Sequence, residues 1–152
     1  MNPNALKNLL ATLWTSNVRF LVVGGVAVEL AGYPRSTYDI DILIDHAPDN
    51  IEKFLEMLCH FGQGVGAELC AEDFDLTEGC ITINEEEIQI DVFTIMGGHT
   101  YEDLQTYAAL HQGEVPVPFL NADGLILLKS RSVRPKDQMD VAALMKLKQN
   151  NS

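Results

Sequence analysis

Apolar positions along this chain switch between a helical and a strand period, and the switches mark out its elements. Pro3 follows the capping residue Asn2, and Leu6, Leu9, Leu10, Leu13 and Trp14 recur at three-to-four spacing, which predicts an amphipathic first helix. Phe20 to Val23 is a short β-prone run ending at Gly24-Gly25, and Val26 to Ala31 reads as a helix closed by Gly32. Ile40 to Ile44 is a second strand, and Asn50 to Phe61 carries Ile51, Phe54, Leu55 and Leu58 on one side of a long helix. Residues 62–78 show neither period. Cys80 to Asn84 and Glu87 to Thr94 alternate as two strands of a hairpin turned at Glu85-Glu86. A third helix is expected over Tyr101 to Leu110. Two prolines restrict Glu114 to Phe119 to an edge strand or extended loop. Asn121 and Asp123 are cap candidates for a helix running through Lys129, and after an interruption at Pro135 a last helix covers Asp137 to Lys148.

Helices and strands so mixed, with at least one hairpin, predict an α/β (α+β) fold with a small mixed β-sheet flanked by helices. A chain of 152 residues with no repeat, linker or low-complexity tract fits one domain spanning 1–152. Its composition, 47% apolar and 21% charged, is that of a folded chain and excludes collagen-like or disordered classes. No apolar run reaches the roughly 18 residues of a membrane span, and the first residues lack a secretory pattern, so the expectation is a cytoplasmic protein with no membrane partner. Cys59, Cys70 and Cys80 have no C-x-x-C spacing and are expected to be reduced and buried.

The net charge of −12 is unevenly spread: residues 1–128 carry four basic and twenty acidic side chains, whereas 129–148 carry six basic and two acidic. An acidic body repels phosphate polymers at long range, which excludes nucleic-acid binding driven by bulk charge. The one dense anion-site candidate is the cluster Lys129, Arg131, Arg134 and Lys136.

Three aspartates carry the candidate chemistry. In Asp39-Ile40-Asp41-Ile42 the alternation puts both carboxylates on one face, roughly 6 to 7 Å apart along the strand. In Ile90-Asp91-Val92 it sets Asp91 opposite its apolar neighbours, where it joins the other two if the strands are adjacent. Like charges so close are destabilising unless neutralised, and oxygen ligands of this kind suit a hard divalent cation, Mg²⁺ above all. Gly24-Gly25, between a strand and a helix, lets backbone N–H groups approach a phosphate. Arg35 and Thr37, just before Asp39, could add a guanidinium and a hydroxyl on the same side. His46, His60, His99 and His111 show no metal-ligand spacing and are read as surface or core residues.

With these residues in place, the segment VVGGVAVELAGYPRSTYDIDILID, residues 22–45, resembles the signature of the nucleotidyltransferase superfamily that includes DNA polymerase beta. That signature is a Gly-Gly or Gly-Ser turn opening a helix, a D-x-D strand and a third acid on a later strand. They fall here on Gly24, Gly25, Asp39, Asp41 and Asp91. The Arg-x-Thr-x-Asp-x-Asp run and the later LLKSRSVRPKDQMD are most similar to small bacterial and archaeal members, which include antibiotic-modifying enzymes and nucleotidyltransferase toxins. The resemblance implies that Asp39, Asp41 and Asp91 hold two Mg²⁺ ions and that an NTP gives its nucleoside monophosphate to an acceptor hydroxyl, releasing pyrophosphate. It further implies that Gly24 and Gly25 cradle the phosphates and that Lys129 neutralises the triphosphate, with Arg131 and Lys136 as weaker candidates. Asp137 and Asp140 are read as capping and ion-pairing residues. The acceptor class, tRNA, protein or small molecule, stays open, as does a homodimer or antitoxin partner. The competing readings are a catalytically weak, nucleotide-binding regulatory member of a toxin–antitoxin pair, and a Mg²⁺-dependent phosphohydrolase.

Overall fold

A computed structural model describes residues 1–34, 37–130 and 134–150, so the readings placed on Arg35 and Arg131 lie outside the described residues. Helix α1 (Pro3–Thr15) starts as expected, because the Asn2 side chain accepts from the backbone N–H groups of Asn4 and Ala5 at 2.9 and 3.3 Å. It buries Leu9, Leu10 and Leu13. Strand β1 (Phe20–Val23) runs directly into α2 (Gly24–Leu30), which begins at the first glycine, two residues earlier than the apolar pattern suggests. Strand β2 (Asp39–Ile44) and α3 (Pro48–His60) follow. Residues 62–78, without a period in sequence, fold into two 3₁₀ turns, Val65–Glu68 and Ala71–Asp73.

The second half is β3 (Ile81–Asn84), β4 (Gln89–Phe93), the short pair β5 (Ile95–Met96) and β6 (His99–Thr100), then β7 (Ala108–His111), β8 (Val117–Leu120), α4 (Ala122–Lys129) and α5 (Pro135–Asn150). Pro135, read as an interruption, occupies the first turn of α5, where its missing N–H costs nothing. Six strands form one sheet in the order β3-β4-β2-β1-β8-β7. Pairs β2·β4 and β1·β8 are parallel and the others antiparallel, so the sheet is mixed, as expected. Helix α2 lies against β1, β2, β8 and α4, and α4 packs along α5. The buried apolar residues, from Leu9 to Leu144, form one continuous cluster.

Four expectations need correction. The hairpin turn is the four-residue segment Glu85–Ile88 rather than Glu85-Glu86. Ile88 is drawn into the core, and the Glu85 carboxylate accepts from the Gln63 and Val65 N–H groups at 2.9 and 3.1 Å. Tyr101 to Leu110 is not a helix. A local turn in which Thr100 and Asp103 cap one another leads to a 3₁₀ turn at Gln105–Tyr107, and 108–111 are then claimed by pairing with β8. Sheet pairing between distant residues outweighs local helix preference here. The proline-bearing strand is not at the edge either: β8 is interior and β7 is the edge. Its ladder to β1 is a single bridge, Val22 with Phe119, so the donor that Pro118 lacks removes little. Finally, Cys59, Cys70 and Cys80 are free thiols and exposed, not buried.

The entry to α3 is held by a buried polar anchor. Asn50 is fully buried; its side chain accepts from the Arg19 N–H at 2.7 Å and donates to the carbonyls of Arg19 and Asp45 at 3.0 and 2.8 Å. Arg19 in turn bridges Asp45 and Asp49. Asn50→Ala leaves those backbone groups without their partner and is expected to cost about 2 kcal/mol. The check is the urea midpoint at constant m; an unmoved midpoint would mean that the anchor contributes no stability.

Candidate active site

The site is set by backbone register before any side-chain contact. Strands β2 and β4 are parallel neighbours with Asp39 opposite Gln89 and Asp41 opposite Asp91. Alternation sends these carboxylates to one face while Ile40, Ile42, Ile90 and Val92 enter the core on the other. One oxygen from each of Asp39, Asp41 and Asp91 lies within 4.8 Å of the other two. The strand adjacency on which the sequence reading depended is therefore present.

Strand β1 delivers the glycine turn to the same place. Val23 pairs with Asp41, so Gly24 follows directly beside that carboxylate. Its φ of +67° is the left-handed region, and an added Cβ would stand 2.1 Å from Asp41 Oδ2 and 2.9 Å from its Cγ. Both conformation and space admit only glycine. Gly25 is the next residue of α2, and half-buried Thr37 lies two residues before Asp39.

Crowding of the acids shows in their proton affinities. Burial, followed by the negative charges of Asp39 and Asp91, pushes Asp41 up to about 7, with Lys129 opposing. Asp39 is raised chiefly by sharing a hydrogen bond with Asp91, then by burial, with Lys136 opposing. Burial by itself would raise Asp91, yet hydrogen bonds from Asp39, Thr82, Gln89 and Asp41 together hold it below the ordinary carboxylate range. Of the three, Asp39 and Asp41 are thus shifted toward keeping a proton and Asp91 toward losing one.

Thr82 and Gln89 are site residues that the sequence reading missed. Thr82 Oγ1 donates to Asp91 Oδ1 at 2.7 Å, and Gln89 Nε2 reaches the same oxygen at 3.4 Å. The hairpin alternation contains the signal, but only with the right loop length: a two-residue turn faces Thr82 with Gln89, whereas the four-residue turn faces it with Asp91.

The basic residues expected on the phosphate side lie on α4 and α5. Lys129 Nζ donates to Asp137 Oδ1 at 2.9 Å and lies 3.1 Å from Asp140 Oδ2, which bears out the ion-pairing expected of these aspartates. Lys136 is exposed, with its charge felt at Asp39.

Three carboxylates on adjacent strands are a hard, all-oxygen donor set of the kind that Mg²⁺ prefers. The raised affinity of Asp39 and Asp41 for protons shows that the cluster calls for positive charge, which a divalent cation would supply in the protons' place. The residues present thus fit the expected ion.

No curated protein matches the chain in sequence. Among solved structures it is similar to the lincosamide antibiotic adenylyltransferase LnuA, determined with lincomycin bound, at 15% identity and a TM-score of 0.67 over 97% of this chain and 98% of that one. It is also similar to a Thermotoga maritima protein assigned to the nucleotidyltransferases, at 16% identity and a TM-score of 0.60 over 98% and 92% of the two chains. At such identities the likeness establishes the fold, a mixed sheet with helices of the nucleotidyltransferase type. A family model described as nucleotidyltransferase of unknown function (DUF6036) matches residues 4–150, which takes in the glycine turn, all three aspartates and the α4–α5 pair. The chain therefore belongs to that family of nucleotidyltransferases.

Proposed function

We propose that this protein is a Mg²⁺-dependent enzyme that moves a nucleoside monophosphate from an NTP to an acceptor hydroxyl, with release of pyrophosphate. The observation that supports this reading best is the convergence of Asp39, Asp41 and Asp91 within 4.8 Å, against a backbone turn where no side chain fits. In this reading Asp39, Asp41 and Asp91 hold the metal, in two ions as in the resembling superfamily. Bound Mg²⁺ supplies neutralisation of the phosphate charge and activation of the attacking and leaving oxygens. Gly24 and Gly25 let the backbone approach the β and γ phosphates, and Thr37 offers a hydroxyl two residues before Asp39. Lys129 adds fixed positive charge beside the triphosphate. Asp91, oriented through Oδ1 by Thr82, accepts the proton of the acceptor hydroxyl. The acceptor is a tRNA, a protein or a small molecule, docked where the acidic face is open or enclosed by a second subunit.

The reading predicts that thermal unfolding shifts upward with NTP plus Mg²⁺ and not with NTP alone. At 100 times the dissociation constant the gain is about 2.7 kcal/mol. No shift with any of the four NTPs would remove nucleotide binding altogether. Incubation with each α-labelled NTP in a cell lysate then separates the enzyme from a regulatory nucleotide-binding protein: transfer of label to a macromolecule or metabolite supports the former, and binding without transfer the latter.

A further inference from the structure

The glycine turn stands at one end of a row that crosses four strands. Register puts Val23 opposite Asp41, Asp41 opposite Asp91 and Asp91 opposite Thr82, so the row runs from the end of β1, over the two strands that bear the acids, to the edge strand β3. An in-line displacement needs its attacking oxygen on the side of the phosphorus away from the leaving group. With the β and γ phosphates at Gly24, as proposed above, pyrophosphate leaves toward β1 and the acceptor hydroxyl arrives from the β3 side, over Asp91.

That side carries a patch of uncharged polar side chains. Thr82 and Asn84 alternate with buried Ile83, so they share the face of Asp91, and both are exposed. Half-buried Gln89 faces Asn84 across the β3–β4 ladder. Thr82 and Gln89 each direct a donor at Asp91 Oδ1, at 2.7 and 3.4 Å, which leaves the hydroxyl lone pairs of the one and the side-chain carbonyl of the other. Asn84 adds a second amide. What the patch offers is chiefly acceptor atoms, the complement of hydroxyl donors.

Charge narrows the class of molecule that fits. Residues 54–128 hold fourteen Asp and Glu and no Lys or Arg. They supply β3, β4, the turn between them and the 3₁₀ turn Val65–Glu68 that packs on β3. A phosphodiester chain binds through cations that neutralise it, and these elements contribute none. A protein partner binds through aromatic or aliphatic anchors, which Thr82, Asn84 and Gln89 are not.

We infer that the patch formed by Thr82, Asn84 and Gln89 binds the acceptor, and that the acceptor is a hydroxyl-rich small molecule without phosphate. This rests on the nucleotidyl-transfer reading above. One acceptor oxygen bonds to the α-phosphorus, the bond from that phosphorus to the bridging oxygen breaks, and its electron pair leaves with pyrophosphate. The hydroxyl proton passes to Asp91 while the patch holds the neighbouring hydroxyls.

Asn84 isolates the patch for testing, because it faces Gln89 and not an aspartate. The full chain, Mg²⁺ and each α-labelled NTP are incubated separately with the small-molecule filtrate, the RNA and the protein of one cell lysate. Initial rates of label transfer are then set beside NTP affinity from calorimetry. The unaltered protein is expected to label a component of the filtrate. Asn84→Ala should slow that transfer about 3- to 10-fold, the size of one hydrogen bond between neutral groups, and Asn84→Arg, which fills the patch, should slow it further. NTP affinity should stay unchanged in both. The position is exposed on an edge strand, so both variants should fold. Label found only in RNA or in protein would overturn the inference. So would wild-type rates in both variants, a gain with Asn84→Arg, or a fall in NTP affinity that matches the fall in transfer. Failure of the unaltered protein to bind any NTP, or to label any fraction, would instead overturn the parent reading, and this inference with it; that result appears before any substitution is made.

Discussion

Asp41→Asn is expected to abolish turnover while leaving the metal-free protein as stable as before, or more so. Loss of residues in a metal's outer shell already costs 10- to 100-fold, so loss of a direct ligand should exceed about 100-fold in kcat. Stability should move the other way because Asp41 is held against its preference. Its carboxyl titrates at about 7 in the fold, above its ordinary value of 3.8. The folded state therefore binds the proton more tightly than the unfolded chain does. The corresponding stability is fully present below about pH 4 and is lost as pH rises through 7, a change of at most about 4 kcal/mol. Asp39 is raised and contributes in the same sense, whereas Asp91 is lowered and opposes it. Wild-type protein without metal should therefore melt at a lower temperature at pH 8 than at pH 5, and Mg²⁺ should recover the loss at pH 8. Asparagine at 41 should flatten the pH profile and blunt the Mg²⁺ response. Marked destabilisation of the metal-free variant at pH 8 would show that Asp41 is a structural hydrogen-bonding residue.

Gly24→Ala should damage fold and site together. Alanine at φ +67° costs about 1 kcal/mol for the backbone alone, and its methyl would overlap Asp41 Oδ2, 2.1 Å away, unless β2 or the turn gives way. A total near 2 to 4 kcal/mol is expected, which lowers Tm by roughly 5–15 °C in a chain of this length. Nucleotide binding should fall as well, because the methyl stands where the backbone meets the carboxylates. The overlap can be isolated with a double-mutant cycle. Asp41→Ala removes the Cγ and oxygens that the methyl meets, so Gly24→Ala should cost less in that background, by about 1 kcal/mol or more. An equal cost in both backgrounds would place the damage in the backbone angle, not in the contact.

Much of this site could be read from period-two alternation. Ile40 and Ile42 against Asp39 and Asp41, and Ile90 and Val92 against Asp91, assign each aspartate to a face because a half-buried strand has only two. The β1–Gly24–α2 unit was legible for the same reason: an apolar run, a residue with no Cβ and a helix leave few alternatives. What local pattern could not supply was pairing. That β2 lies between β1 and β4, which makes a cluster out of three separate acids, depends on contacts across some fifty residues. The loop length at Glu85–Ile88 was misjudged since Glu85 is claimed by Gln63 and Val65, residues of a segment with no periodic signal. Strand β7 was hidden for a related reason. Its Ala108-Ala109-Leu110 run suits a helix in isolation, and becomes a strand because β8 offers it a ladder. The pairing of Lys129 with Asp137 and Asp140 likewise depends on α4 doubling back on α5.

The single bridge between Val22 and Phe119 divides the sheet into a four-strand block bearing the acids and a two-strand block leading into the lysine's helices. Within the first block the hydrogen-bonded ladder acts as a ruler for the spacing of the carboxylates. Across the seam no such ruler exists, and the gap between ammonium and acids follows the bulk of the side chains wedged between α2, α4 and β8. In the proposed reading, exchanges of one aliphatic residue for another in that wedge retune how the chain grips its nucleotide, with every chemically active group unaltered.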